Sequence, residues 1–428
     1  MKTPRLFLPL FILISVVTAA QGGTGTTLPP ELDGSMMPYD FSKVDTIPEI
    51  PDGLELVHIS YVARHGARYL SSPKKIEKIY SVLNEANAER RLSDEGEAFL
   101  KYLNAVADST DGRWGLLSPV GMEEQKRLGS DMARMFPALL NRGKVKEIST
   151  FVPRVIMTMY EFNHWLELKH QDLEIYTSSG HQNDSLLYCF DTFSNYRDFR
   201  DSGEWKEGYD DYVARHVSPE PARRLFSEFD GKDKKLRDLT MEMYGVMQGN
   251  RAAGFQAPTT RWFTVEEYRQ CYNASNLKHY LRNTPNPLDP YCASATAMLI
   301  KRIISDADQA LTSKEPASER NVFSGYFGHA ETLLPLFAVM NIPGCYYPMT
   351  NYEHLDSEWK LQDITPLGAN LTLIFMRDSD GVAYVYLRHN GQNVPAYPGA
   401  PDLIKWSDLK AYWLQRISSF SRPKARLL

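Results

Sequence analysis

Two arginines bracket a histidine in Arg64-His65-Gly66-Ala67-Arg68, Arg154 follows a proline, and His329-Ala330-Glu331 sets a second histidine two residues before a carboxylate. Arginine presents a planar fork of donors that fits phosphate oxygens, and it stays charged. Neutral imidazole can act as a nucleophile, and a carboxylic acid beside it can deliver a proton. Taken singly, each of these residues is most simply a surface or ion-pair residue. Gathered together, three guanidinium and two imidazole groups would form a cationic pocket beside helix N-termini, which suits phosphate.

Strand ends could gather them. Leu56 to Val62 is β-branched and aromatic, reads as a strand, and stops at Arg64-His65-Gly66. Ile148 to Val152 is a second strand signal, ended by Pro153 and followed by Arg154. Val322 to Phe327 is a third, running into Gly328-His329-Ala330-Glu331. In an open α/β sheet the carboxyl ends of the strands line the ligand crevice. Helical spacing fills the intervals: Ile76, Ile79, Tyr80 and Leu83; Leu100, Leu103 and Val106 after the cap Ser93; a helix opening at Ser118-Pro119; and Leu333 to Met340. Leu371 to Met376 and Val382 to Leu387 predict a hairpin, and a closing helix is expected from the cap Ser407, bearing Leu409, Trp413 and Ile417. The alternation predicts an α/β fold, a largely parallel sheet flanked by helices.

Other stretches differ in texture. Residues 1–20 carry Lys2 and Arg5, an apolar run and small residues at Ala19-Ala20, the pattern of a cleaved signal peptide. Residues 21–51, rich in Gly, Thr and Pro, are expected to be a flexible N-terminal segment. The α/β core is expected over 52–190 and 288–428. Between them, 191–287 loses its strand signals and reads as a helical insertion. With 48 Lys+Arg against 53 Asp+Glu, a net charge of −5 excludes the basic surface of a general nucleic-acid binder. No later stretch is long and apolar enough for a membrane span. Export makes Cys189, Cys271, Cys292 and Cys345 candidates for disulfides, with three possible pairings; buried free thiols are the alternative.

Arg64-His65-Gly66-Ala67-Arg68 resembles the signature of the histidine phosphatase superfamily, in its acid phosphatase branch. The His329-Ala330-Glu331 form of the second motif is similar to that of the multiple inositol-polyphosphate phosphatases, which act as phytases. Further similarity runs through Leu117-Ser118-Pro119-Val120-Gly121, Arg154 and Pro366-Leu367-Gly368-Ala369-Asn370-Leu371. Many relatives continue the first motif with Pro-Thr, whereas Tyr69-Leu70-Ser71 stands here. The resemblance implies a phosphoglycerate mutase-like fold and an exported phosphomonoesterase, secreted or periplasmic, acting on a small phosphorylated substrate without a metal or other cofactor.

It also implies roles. His65 would attack phosphorus and form a phosphohistidine, with Arg64, Arg68, Arg154 and His329 holding the phosphoryl oxygens. The arginines should lower the pKa of His65 below its usual ~6.5 and keep it neutral. Glu331 would protonate the departing oxygen. Its rival reading is a carboxylate that merely suits the first turn of a helix. An H-x-E zinc site would need a P-C-x-x-C partner, which is missing from the sequence. Lys74 and Lys75 are candidates for contacting other phosphates of an inositol polyphosphate, or else belong to a solvated helical turn. Lys232 to Arg237 reads as a solvated face. A broad acid phosphatase acting on sugar phosphates or bisphosphoglycerate is the alternative activity, and a catalytically dead phosphate-binding protein the non-enzymatic one.

Overall fold

Four parallel strands form the heart of the sheet in the computed structural model, which describes residues 25–420 apart from 142, 171, 290 and 349–351. The expected signal peptide lies outside the described residues. Strand β1 (Glu55–Arg64) pairs in parallel with β4 (Asn321–Gly328), β4 with β2 (Lys144–Ser149), and β2 with β3 (Glu174–Ser179). On its other side β1 meets the antiparallel β5 (Asn370–Arg377), followed by β6 (Ala383–His389). Two short strands, β7 (Gln392–Val394) and β8 (Leu403–Lys405), both pair with β6. The order is β3-β2-β4-β1-β5-β6-β7.

Burial explains which strands are legible in the sequence. From Val57 to Arg64 and from Val322 to Gly328 every residue is buried, as central strands covered on both faces must be. Strand β2 begins at Lys144, four residues before the expected start, and ends at Ser149; its first half alternates charged with apolar residues. Strand β3 is an edge strand of mixed exposure, and the sequence reading does not include it.

Helix α1 (Lys74–Ala88) buries Ile76, Ile79 and Leu83; α2 (Asp94–Thr110) and α3 (Pro119–Met135) start where expected, capped by the hydroxyls of Ser93 and Ser118; and α4 (Pro153–Glu167) opens at Pro153. One face of the sheet buries Ile59, Tyr61 and Ala63 against Met132 of α3 and Phe162 of α4. Tyr61 and Phe162 stack with centroids 5.1 Å apart. The opposite face, bearing Val62 and Tyr326, shares one continuous apolar core with the helix-rich middle of the chain. Between Asp184 and Asn283 every described element is helical, including α5 (Ser194–Ser202), α6 (Trp205–His216), α7 (Asp233–Met247) and α8 (Val265–Asn283). Leu236, Met243, Tyr268 and Leu277 from that stretch pack in the same core as Leu333. Helix α9 (Cys292–Thr312) comes next, then α10 (Ala330–Met340) directly after β4.

Two sequence expectations need correction. The segment read as flexible is packed from Leu28 to Met37: Leu28, Leu32, Asp33 and Met36 are buried. Its backbone is bound as well, with Leu28 N donating to Pro258 O at 2.8 Å and Tyr244 Oη to Leu32 O at 2.8 Å. Leu28, Leu32 and Met36 supply apolar anchors among the Gly, Thr and Pro, and Asp33 pairs with Arg251. The closing helix α11 (Trp406–Phe420) begins one residue before Ser407, whose hydroxyl turns to Asp408 instead of capping the helix. Of the two readings open for the four cysteines, the structure has the second: all are buried thiols, none joined in a disulfide.

Candidate active site

Three parallel strands finish level with one another. Arg64, the last residue of β1, pairs with Gly328, the last of β4, and Ser149 of β2 pairs with Phe327. The ladder continues one step beyond the strands, with His65 N donating to Gly328 O at 3.1 Å and Arg64 N to Ala369 O at 2.8 Å. The segments leaving the strands therefore converge on one edge of the sheet: the His65 loop after β1, Arg154 at the start of α4, and His329 at the N-cap of α10.

The His65 loop is clamped from below. Gly66 N donates to Thr158 Oγ1 at 3.1 Å, Ala67 N to Glu124 Oε2 at 2.7 Å, and Ser118 N to Ala67 O at 2.9 Å. A Cβ on Gly121 would stand 2.1 Å from Ala67 O, so the Leu117–Gly121 motif lets α3 press against the loop backbone. Glu124 is buried, and desolvation pushes its carboxyl up to about 7 despite two backbone donors and Arg64 nearby.

Within the loop, Nδ1 of His65 lies 3.0 Å from the carbonyl of Gly66. A carbonyl only accepts, so Nδ1 carries the proton and Nε2 keeps its lone pair. His65 is buried and its pKa lies well below 6.5, because of burial first and then Arg154, Arg64, Arg68 and His329. The sequence points to the arginines; desolvation is the larger cause. Both effects favour the neutral ring.

The three arginines share a feature. Arg64, Arg68 and Arg154 each hold a buried Nε that has no partner among the described residues. Part of the guanidinium is tied to the scaffold in two of them: Arg64 Nη1 donates to Ser35 O and Thr365 O at 2.7 and 2.6 Å, and Arg68 Nη1 to Tyr69 O at 2.9 Å. Burial lowers the pKa of all three, and mutual repulsion adds to it for Arg64 and for Arg68, which falls to about 9. Clustered donors without acceptors fit an anion.

His329 stands beside them, its Nε2 3.2 Å from Thr150 Oγ1 and its Nδ1 3.5 Å from Arg154 Nη2. Its own backbone N–H donates to Thr332 Oγ1 at 3.2 Å, which fixes it at the head of α10. Burial and the arginines lower its pKa to about 3. Glu331 lies in the first turn of that helix. Burial alone would raise its pKa, but His329, His279 and Arg64 outweigh that and hold it below the usual carboxylate range.

The helix-rich stretch completes the wall with residues the sequence reading does not single out. A cleft of about 320 Å³ runs past Arg154, His329 and Glu331 to Tyr188, Arg200 and Arg282. Arg200 is fixed by Asp191 and Asp201, each at 2.9 Å, and its carbonyl accepts from Arg282 Nε at 2.9 Å. His279, one turn before Arg282 on α8, is half-buried with Nδ1 unpartnered. These residues lie among many other charges in a helical region, and nothing in their spacing marks them.

Both candidate lysines are exposed at the start of α1 and neither lines the cleft; partial desolvation, then Arg68, Lys78 and Arg282 against Glu242, lowers the pKa of Lys75. Lys74 is exposed at the first turn of α1, where its backbone N–H donates to Ser72 Oγ. The Lys232–Arg237 run opens α7 on the surface, where Lys234 pairs with Asp238 at 3.0 Å. Among the described residues, no group of three or more His, Cys, Asp or Glu is arranged to hold a metal, and no helix is long and apolar enough to cross a membrane.

Solved structures with the same architecture include the Bifidobacterium longum multiple inositol polyphosphate phosphatase. Its complex with inositol hexasulfate is 16% identical over 89% of this chain and 97% of that one, with a TM-score of 0.71. Its complex with phosphate is 15% identical over 92% and 99%, with a TM-score of 0.72. The phytase from D. castellii is 17% identical over 91% and 85%, with a TM-score of 0.68. At such identities the likeness establishes the fold. No curated relative matches by sequence. The family description "Histidine phosphatase superfamily (branch 2)" matches residues 55–390, from the first residue of β1 to just beyond β6. The chain belongs to branch 2 of the histidine phosphatase superfamily and is a phosphatase of that family.

Proposed function

We propose that this phosphatase is exported and hydrolyses inositol polyphosphates such as phytate through a phosphohistidine on His65. The observation that carries the reading is the convergence of three orphaned guanidinium Nε groups beside an imidazole whose Nε2 is unprotonated. In the first step Nε2 forms a bond to phosphorus as the bond to the inositol oxygen breaks. Arg64, Arg68, Arg154 and His329 hold the three equatorial oxygens, where transition-state charge gathers. The departing oxygen is a poor leaving group and takes a proton from Glu331. In the second step water attacks phosphorus, Glu331 takes its proton, and the nitrogen–phosphorus bond breaks to free phosphate.

Glu331 must hold a proton to begin the cycle, although its surroundings in the free protein hold its pKa below the usual carboxylate range. The substrate supplies the change. A bound phosphate dianion offsets the positive field of the arginines, which is part of what keeps Glu331 low.

Polyphosphate specificity is supported by a second group of cations, Arg200 and Arg282 on the cleft wall, with Lys75 within electrostatic reach of Arg282. The Bifidobacterium longum relative is solved in complex with inositol hexasulfate, the sulfate-ester counterpart of phytate. The test is phosphate release from phytate and from p-nitrophenyl phosphate under identical conditions. A clearly higher kcat/KM for phytate supports the reading. Equal or lower values for phytate would favour the broad acid phosphatase.

A further inference from the structure

We infer that the N-terminal segment 28–39 is a working part of the active site, with Asp33 as a positioning residue that aims the guanidinium of Arg64. The inference rests on Arg64 being a phosphate ligand.

Arg64 Nη1 has two hydrogens, and both are used within the protein, on Ser35 O at 2.7 Å and Thr365 O at 2.6 Å. Fixing that nitrogen fixes the plane of the guanidinium, and so the direction of the unpartnered Nε. One of the two carbonyls comes from the N-terminal segment, far from the catalytic strands in sequence. The two acceptor loops also hold each other, since Leu367 N donates to Met37 O at 2.9 Å.

Asp33 lies two residues before Ser35 and is fully buried. Its carboxylate pairs with Arg251 and accepts from Tyr268 Oη at 3.0 Å, while Arg251 also reaches Leu28 O. Gly34 lies between Asp33 and Ser35 with φ of 56°, a conformation that favours glycine. The anchored carboxylate and this turn together determine where the Ser35 carbonyl points. Farther along, Tyr39 N donates to Glu124 Oε1 at 2.8 Å, and the other oxygen of Glu124 holds Ala67. The segment thus grips the His65 loop at two places. A segment that only covered the core would need neither the buried ion pair nor the contact with Arg64.

The test uses the full chain and orthovanadate, which adopts the five-coordinate geometry of phosphoryl transfer. Inhibition constants are measured for wild type, Asp33→Asn, Tyr268→Phe, Arg64→Ala and the Arg64→Ala/Asp33→Asn double variant. A misaimed catalytic group costs up to about a hundredfold, so Asp33→Asn should weaken vanadate binding about tenfold and lower kcat/KM for p-nitrophenyl phosphate in parallel. Tyr268→Phe keeps the ring and loses one hydrogen bond on Asp33. It should shift both quantities the same way by about two- to threefold, and it carries the test if Asp33→Asn does not fold. With Arg64 already gone, Asp33→Asn should add nothing. The inference is overturned if the Asp33 and Tyr268 variants lose activity only in proportion to the unfolded fraction, with vanadate affinity unchanged. It is equally overturned if Asp33→Asn weakens vanadate as much in the Arg64→Ala background as in wild type. Failure of Arg64 itself would look different: Arg64→Ala would then bind vanadate as tightly as wild type.

Discussion

The rings of His65 and His329 stand edge to face with centroids 5.6 Å apart, each at the end of one of two hydrogen-bonded parallel strands. Neither ring is free to turn. His65 is held through Nδ1 by Gly66 O, and His329 through Nε2 by Thr150 Oγ1 at 3.2 Å. The pair divides the work, because one ring presents a lone pair while the other is braced beside Arg154.

Thr150 should therefore matter although it is not placed to touch phosphorus. Thr150→Val keeps the shape and removes the hydroxyl that orients His329. An interaction realised in the transition state is worth about tenfold or more in kcat, so kcat should fall by that order while KM for p-nitrophenyl phosphate changes little. Steady-state kinetics decides this. A rise in KM with kcat unchanged would contradict the orienting role.

Glu331→Gln keeps the shape and loses the proton. With phytate, whose leaving alkoxide needs protonation, kcat should fall by about a hundredfold or more. With p-nitrophenyl phosphate, whose leaving group is a stable anion, the first step should be nearly unaffected, so a burst of p-nitrophenol should persist. Equal loss of the first step on both substrates would reduce Glu331 to a carboxylate that only suits the helix terminus.

Lys75 and Arg282 separate polyphosphate recognition from chemistry. Neutralising either to Gln removes a charge worth about 1 kcal/mol near the surface, roughly fivefold in kcat/KM for phytate. A monoester should respond far less. Added salt should shrink the phytate effect, since exposed charges are screened within about 10 Å at 0.1 M. Lys74→Gln should be silent on both substrates. Equal losses on phytate and monoester for Lys75 and Arg282 would show that these cations do not read the distant phosphates.

Stability should fall as pH rises from ~6.5 to about 8. Glu124 is raised to about 7, and Glu147 to about 8, by burial. Their protonated forms favour the fold, a contribution complete below ~4 and lost as pH rises to about 7 to 8. Buried histidines act in the opposite sense below ~6.5: His58 and His389 are lowered to about 4 by burial, so the unfolded chain takes up protons there as pH falls and offsets the carboxyl gain. Thermal melts from about pH 6 to 9 should show the alkaline limb. Glu147 is far from the chemistry, bonded to Asn163 with one oxygen unpartnered. Glu147→Gln should flatten the alkaline limb; an unchanged limb would contradict the assignment.

The position of each residue in the fold decides how far the sequence reveals it. Arg64, His65, Arg154 and His329 stand just after strands or at the start of helices, and such junctions leave clear marks: a β-branched run, a glycine or a proline, then a charged residue. Arg200 and Arg282 lie inside helices of a charge-rich region, and only tertiary packing turns them toward the cleft. The anchor at Leu28–Met37 is hidden for a related reason. Composition rich in Gly, Thr and Pro describes local stiffness, whereas the segment is held by distant partners such as Arg251 and Tyr268. Edge strand β3 escapes notice because its exposed polar residues carry no core pattern.

The central claim is that the phosphoryl group passes through His65, and the most direct test is to catch it there. The enzyme is mixed with radiolabelled phytate, quenched in alkali during turnover, digested, and its peptides mapped. The account predicts an alkali-stable, acid-labile label on the peptide containing His65, and none in His65→Ala. Turnover with no label on His65, or a labelled and active His65→Ala, would contradict it.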